Sequence, residues 1–451
     1  MRSPSLVRQG YGGQGAAVWL FRKEWRELMA SRAWWVLLLV IGPLVGMSFI
    51  SAVTAYGELS GVNGTAAGVG EAFSPLVGIW APTFSACELA AAFLLPFVAI
   101  RLVAGDRQSG ALTIELQHRL SPLARIAIKA SVLMLGWIVA TLAPLIGVAL
   151  WLSYGGSVYA PELLTVIAGH LLNAALTIAL GAGAAALTEH PATAAIVTLT
   201  VTVGTWLVNF AAAVNGGWWE RAARFTPTAM VAEFQRGLLR ADVTIVAVQL
   251  TFALLVVASI WLSLGAPIRH RVRQSLIMLA ITLAVLSSAS RVTASWDTSE
   301  SRRNSFSESE ETALRAIDGD LRIVAHFAPE DPRRSDLEHN AFRKLRRARP
   351  QARIAYRSAT STGLFEQTAD NYGEIAYELG GRTVVSRITT AEGVLESVFT
   401  LAGIAAPAES DDELFRGHPL AARPRGAAMI FYLIWPLVIA AIAFTVQRRR
   451  A

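Results

Sequence analysis

The chain has 451 residues, of which 53% are apolar and 16% are charged. A typical soluble domain carries about 25% charged residues, so this composition excludes an ordinary soluble enzyme. The single cysteine, Cys87, excludes an intrachain disulfide and any cysteine-based metal cluster or redox pair. The formal net charge is +7, yet residues 293–427 hold 18 basic and 21 acidic side chains, a balance of −3. The rest of the chain therefore carries +10, which separates a polar block from a basic, apolar part.

Eight apolar stretches are long enough for membrane-spanning helices, which need about 20 mostly apolar residues. In chain order they lie at residues 33–55, 83–104, 130–153, 163–187, 191–213, 243–265, 274–292 and 427–446. The fourth stretch is rich in glycine and alanine, which allow helices to approach closely. The predicted fold class is a polytopic α-helical membrane protein of about eight transmembrane helices, with one small α/β domain between the seventh and the eighth.

The distribution of lysine and arginine predicts that both ends of the chain face the cytosol, because short cytosolic loops carry an excess of these residues. With that orientation, the inner segments contain Arg22, Lys23, Arg26, Arg32, Arg107, Arg119, Arg125, Lys129, Arg269, Arg271, Arg273, Arg448, Arg449 and Arg450. The outer loops 56–82 and 154–162 have none. Residues 293–426 are then extracytoplasmic.

The N-terminal region divides into a tail and an amphipathic helix. Residues 1–15 are rich in glycine, glutamine and serine and predict a disordered tail. Within residues 16–32, apolar side chains recur at helical spacing at Val18, Phe21, Trp25, Leu28 and Met29. The other predicted face carries Arg22, Lys23, Glu24, Arg26 and Glu27. Such a helix lies in the membrane interface, either as a simple anchor or as an elbow that transmits motion to the first span.

The loop between the second and third spans is the most informative segment. It contains, in order, Asp106, Arg107, Gly110, Leu112, Glu115, Pro122, Arg125 and Lys129. An acidic–basic pair, a glycine turn, a short amphipathic stretch and a helix that begins at proline predict a compact cytosolic knob. The residues alone leave two interpretations open, a knob that docks into a partner and an ordinary basic loop.

In the order of its acidic residue, glycine, leucine, proline, arginine and lysine, this loop resembles that of the ABC-2 type transporter permeases. Ala111 and Ile128 depart from the family pattern. The resemblance covers about residues 16–266, with a six-span permease domain at 33–266. It implies that the loop contacts a cytosolic ATP-binding subunit, and that the chain pairs as a homodimer or as a heterodimer with a related permease.

The ATPase itself is expected in that partner. A phosphate-binding loop needs the pattern Gly-x-x-x-x-Gly-Lys-[Ser/Thr], and none of the three lysines, Lys23, Lys129 and Lys344, follows a glycine. We therefore expect ATP and Mg²⁺ to bind to the partner, and we predict neither a catalytic residue nor a cofactor in this chain.

The polar block 293–426 has the predicted element order βαβ–ββα. Its helices are predicted at 308–317, at 333–348 and from a capping box at Thr389 and Glu392 to Gly403; its strands are predicted at 321–327, 352–357, 372–379 and 382–388. Gly380 and Gly381 predict a hairpin turn between the last two strands. This order resembles a thioredoxin-like core at the level of the fold.

The same block resembles the extracytoplasmic region of the Gld G-like auxiliary subunits of gliding-type ABC transporters. The matching segments are Asp297-Thr298-Ser299, Asn304-Ser305-Phe306-Ser307, a strand that ends at Pro329, Tyr372-Gly373-Glu374-Ile375 and the helix from Thr389 to Val394. The block is much shorter than those subunits. With a seventh span at 267–292 and an eighth span and basic tail at 427–451, the chain resembles a permease fused to a two-span auxiliary unit.

These resemblances imply a subunit of the bacterial inner membrane that exports a hydrophobic or amphipathic substrate. The alternative is a module without transport activity, which relays ATP-driven motion through residues 293–426 to an envelope protein. The outer block then binds either substrate or a protein, while nucleic acid is not expected as a partner.

Several further residues carry weaker signals. Glu88 is predicted near the outer end of the second span, and His170 and Asn173 either line a pathway through the fourth span or join helices by hydrogen bonds. The seven histidines show no metal-ligand spacing, so no metal site is predicted.

The run 343–349 predicts either a site for anionic lipid or polysaccharide or a solvated helix face. The segment 218–237 predicts either a short re-entrant helical pair or a surface loop.

Overall fold

A computed structural model describes residues 13–61, 74–108, 110, 120–215, 218–263, 265–300, 302–328, 331–357, 370–407, 418, 420 and 422–449. The chain divides into two compact units. The first unit comprises Met1–Gln235, Ala241–Val292 and Gly417–Ala451, and the second comprises Arg236–Arg240 and Thr293–Arg416. The predicted tail at residues 1–15 lies almost wholly outside the described residues.

The first unit contains the eight helices that the sequence predicts, each long and apolar enough to cross a membrane. They are TM1 (Arg32–Glu58), TM2 (Leu76–Asp106), TM3 (Pro122–Ser153), TM4 (Ala160–Leu187), TM5 (Pro191–Ala212), TM6 (Ala241–Trp261), TM7 (Ile268–Ala289) and TM8 (Ala427–Arg448). The chain is therefore a polytopic helical membrane protein.

TM2 and TM3 begin seven and eight residues before the predicted stretches at 83–104 and 130–153. TM2 starts at Leu76 with a π-helical turn whose Leu76, Ile79 and Trp80 side chains are buried. TM3 starts at Pro122, where the hydroxyl of Ser121 accepts a hydrogen bond from the backbone N–H of Ala124. Proline suits the first position of a helix because its missing N–H would have no partner there. Packing of the first turn therefore extends TM2, and the Ser121 cap extends TM3, beyond the apolar stretches.

TM4 lies against TM2, TM3 and TM6, and its small residues explain how. A Cβ added to Gly181 would lie 3.1 Å from the Cβ of Ala99 on TM2. A Cβ added to Gly169 would lie 2.4 Å from the Cβ of Phe234, which follows TM5 in the chain. Glycine at these positions allows the close approach that membrane helices use in place of hydrophobic attraction.

TM8 packs on TM1 through two glycines one helical turn apart. Trp435 lies over Gly42 and Phe431 lies over Gly46, each so close that an added Cβ would overlap the aromatic side chain. The indole N–H of Trp435 also donates a hydrogen bond of 2.7 Å to the carbonyl of Leu38. The contact therefore combines small-residue packing with an interhelical hydrogen bond.

TM7 packs on TM6 instead. The amide of Gln249 donates to the hydroxyl of Thr282 at 3.3 Å, and the indole of Trp261 donates to the hydroxyl of Ser275 at 3.1 Å. The two spans that flank the polar block thus each join a different span of the six that precede them.

The helix before TM1, α1 (Gly13–Ala30), turns a different face inward from the one predicted. Leu20, Glu24 and Leu28 are buried, whereas Val18 is 52% exposed. Glu24 was expected on the polar face and lies inside, because the amines of Lys129 on TM3 and of Lys23 on α1 itself donate to its carboxylate. Only Ser31 separates α1 from TM1, so the two helices are nearly continuous.

A short helical pair precedes TM6, as one of the two interpretations predicted. It consists of α2 (Trp218–Ala223) and α3 (Pro227–Gln235). Thr226 precedes α3, and its hydroxyl donates a hydrogen bond of 2.9 Å to the amide oxygen of Asn209 on TM5. Met230, Val231 and Phe234 on α3 are buried.

The second unit contains a four-stranded sheet and three helices in the predicted order. Its elements are α4 (Glu308–Ala316), β3 (Arg322–Ala325), α5 (residues 332–348, with a π-helical turn at Glu338–Phe342), β4 (Arg353–Tyr356), β5 (Ile375–Leu379), β6 (Arg382–Ser386) and α6 (Ala391–Ala402). The strand order is β4-β3-β5-β6, with β3 and β4 parallel and the other pairs antiparallel.

Turn and cap residues explain the hairpin between β5 and β6 and both ends of α6. Gly380 and Gly381 both have positive φ, 57° and 83°, as a tight two-residue hairpin requires. The predicted cap at Thr389 is wrong by one position, because the hydroxyl of Thr390 accepts the backbone N–H of Gly393. Gly403 ends α6 in the left-handed conformation with φ 70°.

A two-stranded ribbon adds a part of the loop before TM6 to this unit. Here β1 (Leu238–Arg240) pairs antiparallel with β2 (Ser295–Asp297). The carboxylate of Asp297 accepts hydrogen bonds from the backbone N–H groups of Ser299 and Asn304, and Asn304 donates its side-chain amide to the carbonyl of Arg236. The permease boundaries predicted at 33–266 are therefore interrupted at residues 236–240.

Candidate functional site

Four charged side chains meet where α1 lies against the end of TM2 and the start of TM3. The amine of Lys129 on TM3 contacts the carboxylates of Glu24 on α1, at 2.5 Å, and of Asp106 on TM2. The amine of Lys23 lies 2.8 Å from the other oxygen of Asp106. Lys23 also lies 3.1 Å from Glu27, one turn further along α1. We call Lys23, Glu24, Asp106 and Lys129 the charge cluster.

The charge cluster is shielded from water. Glu24, Asp106 and Lys129 are each less than 5% exposed, and Lys23 forms the rim with 19% of its side chain exposed. Two carboxylates face two amines, so the formal charges cancel. Balanced pairing of this kind is what makes burial of ionised groups tolerable.

Burial still dominates the ionisation of Glu24. It raises the pKa of this carboxyl to about 7, against the opposing attraction of Lys129 and with a further upward contribution from Asp106. Its second oxygen has no hydrogen-bond partner within the part of the chain that the structure describes. Glu24 is therefore the member of the charge cluster most readily neutralised near physiological pH.

Oxygens of Glu24, Glu27 and Asp106 lie within 4.8 Å of one another, a spacing that a metal ion would also accept. The amines of Lys23 and Lys129 already contact these carboxylates. A cation placed among the three carboxylates would stand beside two ammonium groups, whose repulsion opposes binding. The donor set therefore fits an ion-pair network better than a metal centre.

The other predicted residues of the loop and elbow are placed as follows. Arg125 is buried one turn before Lys129, Pro122 is the first residue of TM3, and Gly110 is exposed with φ 75°. Phe21 and Trp25 pack partly buried against the core, and Arg22 is exposed. The side chain of Arg107 and all of Leu112 and Glu115 lie outside the described residues.

A second polar group forms where α3 meets TM2 and TM4. The amide nitrogen of Gln235 donates to the hydroxyl of Ser85 at 3.0 Å and lies 3.2 Å from Nε2 of His170. At the other end of α3, the carboxyl of Glu88 is hydrogen-bonded to Thr228. The predicted pathway residues on TM2 and TM4 are thus brought to the same short helix, which sequence reasoning left out of the site.

The sequence predicted Glu88 near the outer end of TM2, but the structure places it well inside the helix. Because TM2 begins at Leu76, Glu88 lies 12 residues into the helix, roughly 18 Å at 1.5 Å per residue. Its side chain is half-buried. The unpredicted π-helical start of TM2 is the reason for the difference.

The arginine-rich run 343–349 does not present a uniform basic face. Arg346 contacts the carboxylate of Glu338, Arg347 donates to the carbonyl of Asn304, and Arg349 is 1% exposed with carbonyl partners at Leu314, Ile317 and Gly319. These arginines hold the second unit together, so neither a polyanion site nor a solvated face describes the whole run.

Searches of protein-family models, of curated proteins and of solved structures find no match to this chain. Its function must therefore be argued from its own residues.

Proposed function

We propose that this chain is the membrane-spanning subunit of an ABC-2 type transporter, energised by a separate ATP-binding subunit that holds ATP and Mg²⁺. In this proposal it resides in a bacterial inner membrane, with the charge cluster at the cytosolic end and the second unit outside the cytosol. It acts as a homodimer or with a related permease, and it exports a hydrophobic or amphipathic substrate.

The charge cluster is the observation that carries the proposal. It joins the three elements that a cytosolic motor would have to move together: α1, the end of TM2 and the start of TM3. Removing one partner from a buried ion pair leaves an uncompensated charge, which costs about 3–5 kcal/mol. A force on the TM2–TM3 loop is therefore passed to α1 rather than dissipated at the contact.

The geometry suggests how such a force reaches the first span. The indole of Trp35 on TM1 donates a hydrogen bond of 2.9 Å to the carbonyl of Met29 on α1. On TM3, a Cβ added to Gly136 would lie 2.9 Å from Leu28 and 3.2 Å from Trp34. α1, TM1 and TM3 are thus in direct contact with one another. Closure of two ATP-binding subunits would therefore shift all three helices together.

The experiment is co-expression with the ATP-binding-cassette subunits of the source organism, followed by co-purification and ATPase measurement. Asp106→Asn removes the carboxylate that holds both lysines, and we expect it to reduce complex formation or ATPase stimulation. Arg101→Gln, on an exposed position five residues earlier in TM2, is the matched control and should leave both unchanged. An ATPase that binds and responds equally well to Asp106→Asn would count against the charge cluster as the coupling element.

One observation favours the alternative, a module that relays motion to an envelope protein. Residues 236–240 belong to the second unit through β1, although α3 precedes them and TM6 follows them in the chain. The second unit therefore has a covalent link to this loop besides its links to TM7 and TM8. Transport that survives deletion of residues 293–426 would favour the transporter, and specific pull-down of an envelope protein by the full chain would favour the relay.

A further inference from the structure

We propose that the cavity beneath α3 is a binding site for an uncharged amphiphile, an apolar chain with a hydrogen-bonding group such as an ester or amide. In this proposal α3 is the cover that must move for the ligand to enter. It rests on the transport function proposed above only in regarding the ligand as the transported molecule; binding itself requires no ATPase.

The walls of the cavity come from TM4, α3 and TM6. Leu172 and Leu176 on TM4 and Met230, Val231 and Phe234 on α3 supply apolar surface, and Asn173 supplies the polar group. Ligand sites are typically mostly apolar with a few polar groups that fix orientation. This lining has that composition.

Asn173 is the feature that points to a ligand. It is 7% exposed and lines the cavity, and the hydrogen bond that it receives from the hydroxyl of Thr177 reaches its backbone carbonyl, which leaves the side-chain amide to a ligand. A buried amide without a partner costs free energy, so a bound group that both fills the cavity and hydrogen-bonds to Asn173 would be favoured.

The charge of the ligand follows from the groups around α3. No basic side chain is among the described residues that line the cavity. Two carboxyl groups stand on or against α3, that of Glu233 on the helix itself and that of Glu88, which is hydrogen-bonded to Thr228; neither offers an anion a positive partner. Since burial of an unpaired charge is expensive, the site selects an uncharged group.

In the described conformation the cavity holds only about 10 Å³, the room of one water molecule. An acyl chain therefore enters only if α3 moves. This helix has nine residues, shorter than the roughly 12–15 residues at which isolated helices become stable, so it depends on its contacts. These are the hydrogen bonds of Thr228 and Gln235 and the packing of Phe234 on Gly169.

The test uses the full chain in nanodiscs and two photoactivatable probes with the same diazirine-bearing acyl chain, a neutral monoacylglycerol and a permanently anionic sulfonate. We expect the neutral probe to label TM4 and α3 peptides and the sulfonate to label them much less. Asn173→Leu should lower the neutral labelling about tenfold, the equivalent of one hydrogen bond. Thr177→Val, one turn further along TM4, is the control and should label like the wild type.

The cover is tested with a matched pair of glycine substitutions on TM4. Gly169→Ala forces Phe234, and with it α3, away from TM4, and it should raise the neutral labelling severalfold. Gly183→Ala meets Leu254 at an ordinary 3.8 Å and should change nothing. Equal labelling by the two probes, labelling that is indifferent to Asn173→Leu, or no effect of Gly169→Ala would overturn the proposal.

Two further comparisons keep the outcomes distinct. If Asn173→Leu does not fold, as judged by size-exclusion chromatography, Asn173→Ser against Asn173→Ala makes the same comparison, and only the serine should retain labelling. Selective labelling of a chain that co-purifies with no ATP-binding subunit in the experiment described above would sustain this site and overturn the proposed transport function. A chain that binds an ATP-binding subunit but shows no selective labelling would overturn the proposed site and leave the transport function standing.

Discussion

Two buried cations, one in each unit, are held in opposite ways. Lys129 in the bundle contacts two carboxylates, Glu24 and Asp106, which come from two other helices. Arg349 in the second unit donates only to backbone carbonyls, at Leu314, Ile317 and Gly319, around the end of a single helix.

The difference distinguishes contacts that couple several helices from contacts that stabilise the end of one helix. Backbone carbonyls cannot change charge, so the contacts of Arg349 form a fixed cap on the end of α4 that its planar fork of donors suits. Carboxylates can be protonated, screened and exchanged with their partner, so the contacts of Lys129 join three elements in a way that conditions can alter. Substitutions in the charge cluster and at Arg349, together with a change of pH, distinguish these two kinds of contact.

Lys129→Met should have the largest effect, since it leaves Glu24 and Asp106 buried without their shared amine. We expect a loss of about 3–5 kcal/mol in the free energy of unfolding, measured by denaturation in detergent. Combining it with Asp106→Asn should restore part of the loss, because the second change removes an unpaired charge. A fully additive double variant would show that the cluster is not one coupled network.

A change of pH should affect α1 through Glu24. The pKa of this carboxyl is raised from 4.5 to about 7 in the folded chain, so between these values the folded state keeps a proton that the unfolded state has lost. Stability from this group is full below pH 4.5, falls as the pH rises to 7 and is constant above it. The fall is at most about 3 kcal/mol, from 1.36 kcal/mol per pKa unit.

Melting of the chain between pH 4.5 and pH 8 measures this slope. Glu24→Gln should flatten it, whereas Glu27→Gln, at a 41% exposed carboxylate on the same helix, should leave it in place. An unchanged slope in Glu24→Gln would assign the pH dependence to another group.

Arg349→Met should destabilise the second unit by about 2 kcal/mol, because buried carbonyls lose their donors. Hydrogen exchange of peptides from residues 308–357 in the full chain would report it, and peptides of α1 should be unaffected. Arg315→Met, at a 64% exposed side chain, is the control. The hydrogen bonds of Arg349 go to backbone carbonyls. If replacing an acid by its amide partly restored the stability of Arg349→Met, the contrast with Lys129 would be contradicted.

Lys23→Met should have the smallest effect, about 1 kcal/mol, since Lys23 stands at the rim with 19% of its side chain exposed and Lys129 still contacts Asp106 when Lys23 is lost. Its effect should shrink further in 1 M salt, while the effect of Lys129→Met should persist. Equal salt dependence of the two variants, measured by denaturation, would remove the distinction between rim and interior.

Sequence reasoning located the spans and named all four members of the charge cluster, but it did not pair them. The apolar stretches predicted eight helices because length and hydropathy suffice for that. Asp106, Lys129, Lys23 and Glu24 were all candidate residues, yet Lys129 and Glu24 are 105 positions apart. Helical periodicity even placed Glu24 on the wrong face, because the pattern cannot see a partner on another helix.

The polar group at α3 was harder to anticipate. His170, Asn173 and Glu88 stood out as polar residues in apolar stretches, but Gln235 and Ser85 gave no signal, since nothing local distinguishes them from ordinary surface polar residues. The start of TM2 was also missed, because the π-helical turn at Leu76 depends on packing. In the second unit, by contrast, turn glycines and alternation located the four strands of the main sheet along the chain.

The packing of TM8 on TM1 has a consequence for biosynthesis. The hydrogen bond from Trp435 to Leu38 joins residues 397 positions apart. During translation the surface of TM1 at Gly42 and Gly46, the glycine groove, is therefore made long before TM8, the helix that covers it. Until TM8 has inserted, this groove is open to lipid or to a surrogate helix of the insertion machinery. A ribosome that stalls before residue 427 should leave a nascent chain whose TM1 is cross-linkable to such a helix, and completion of TM8 should displace it.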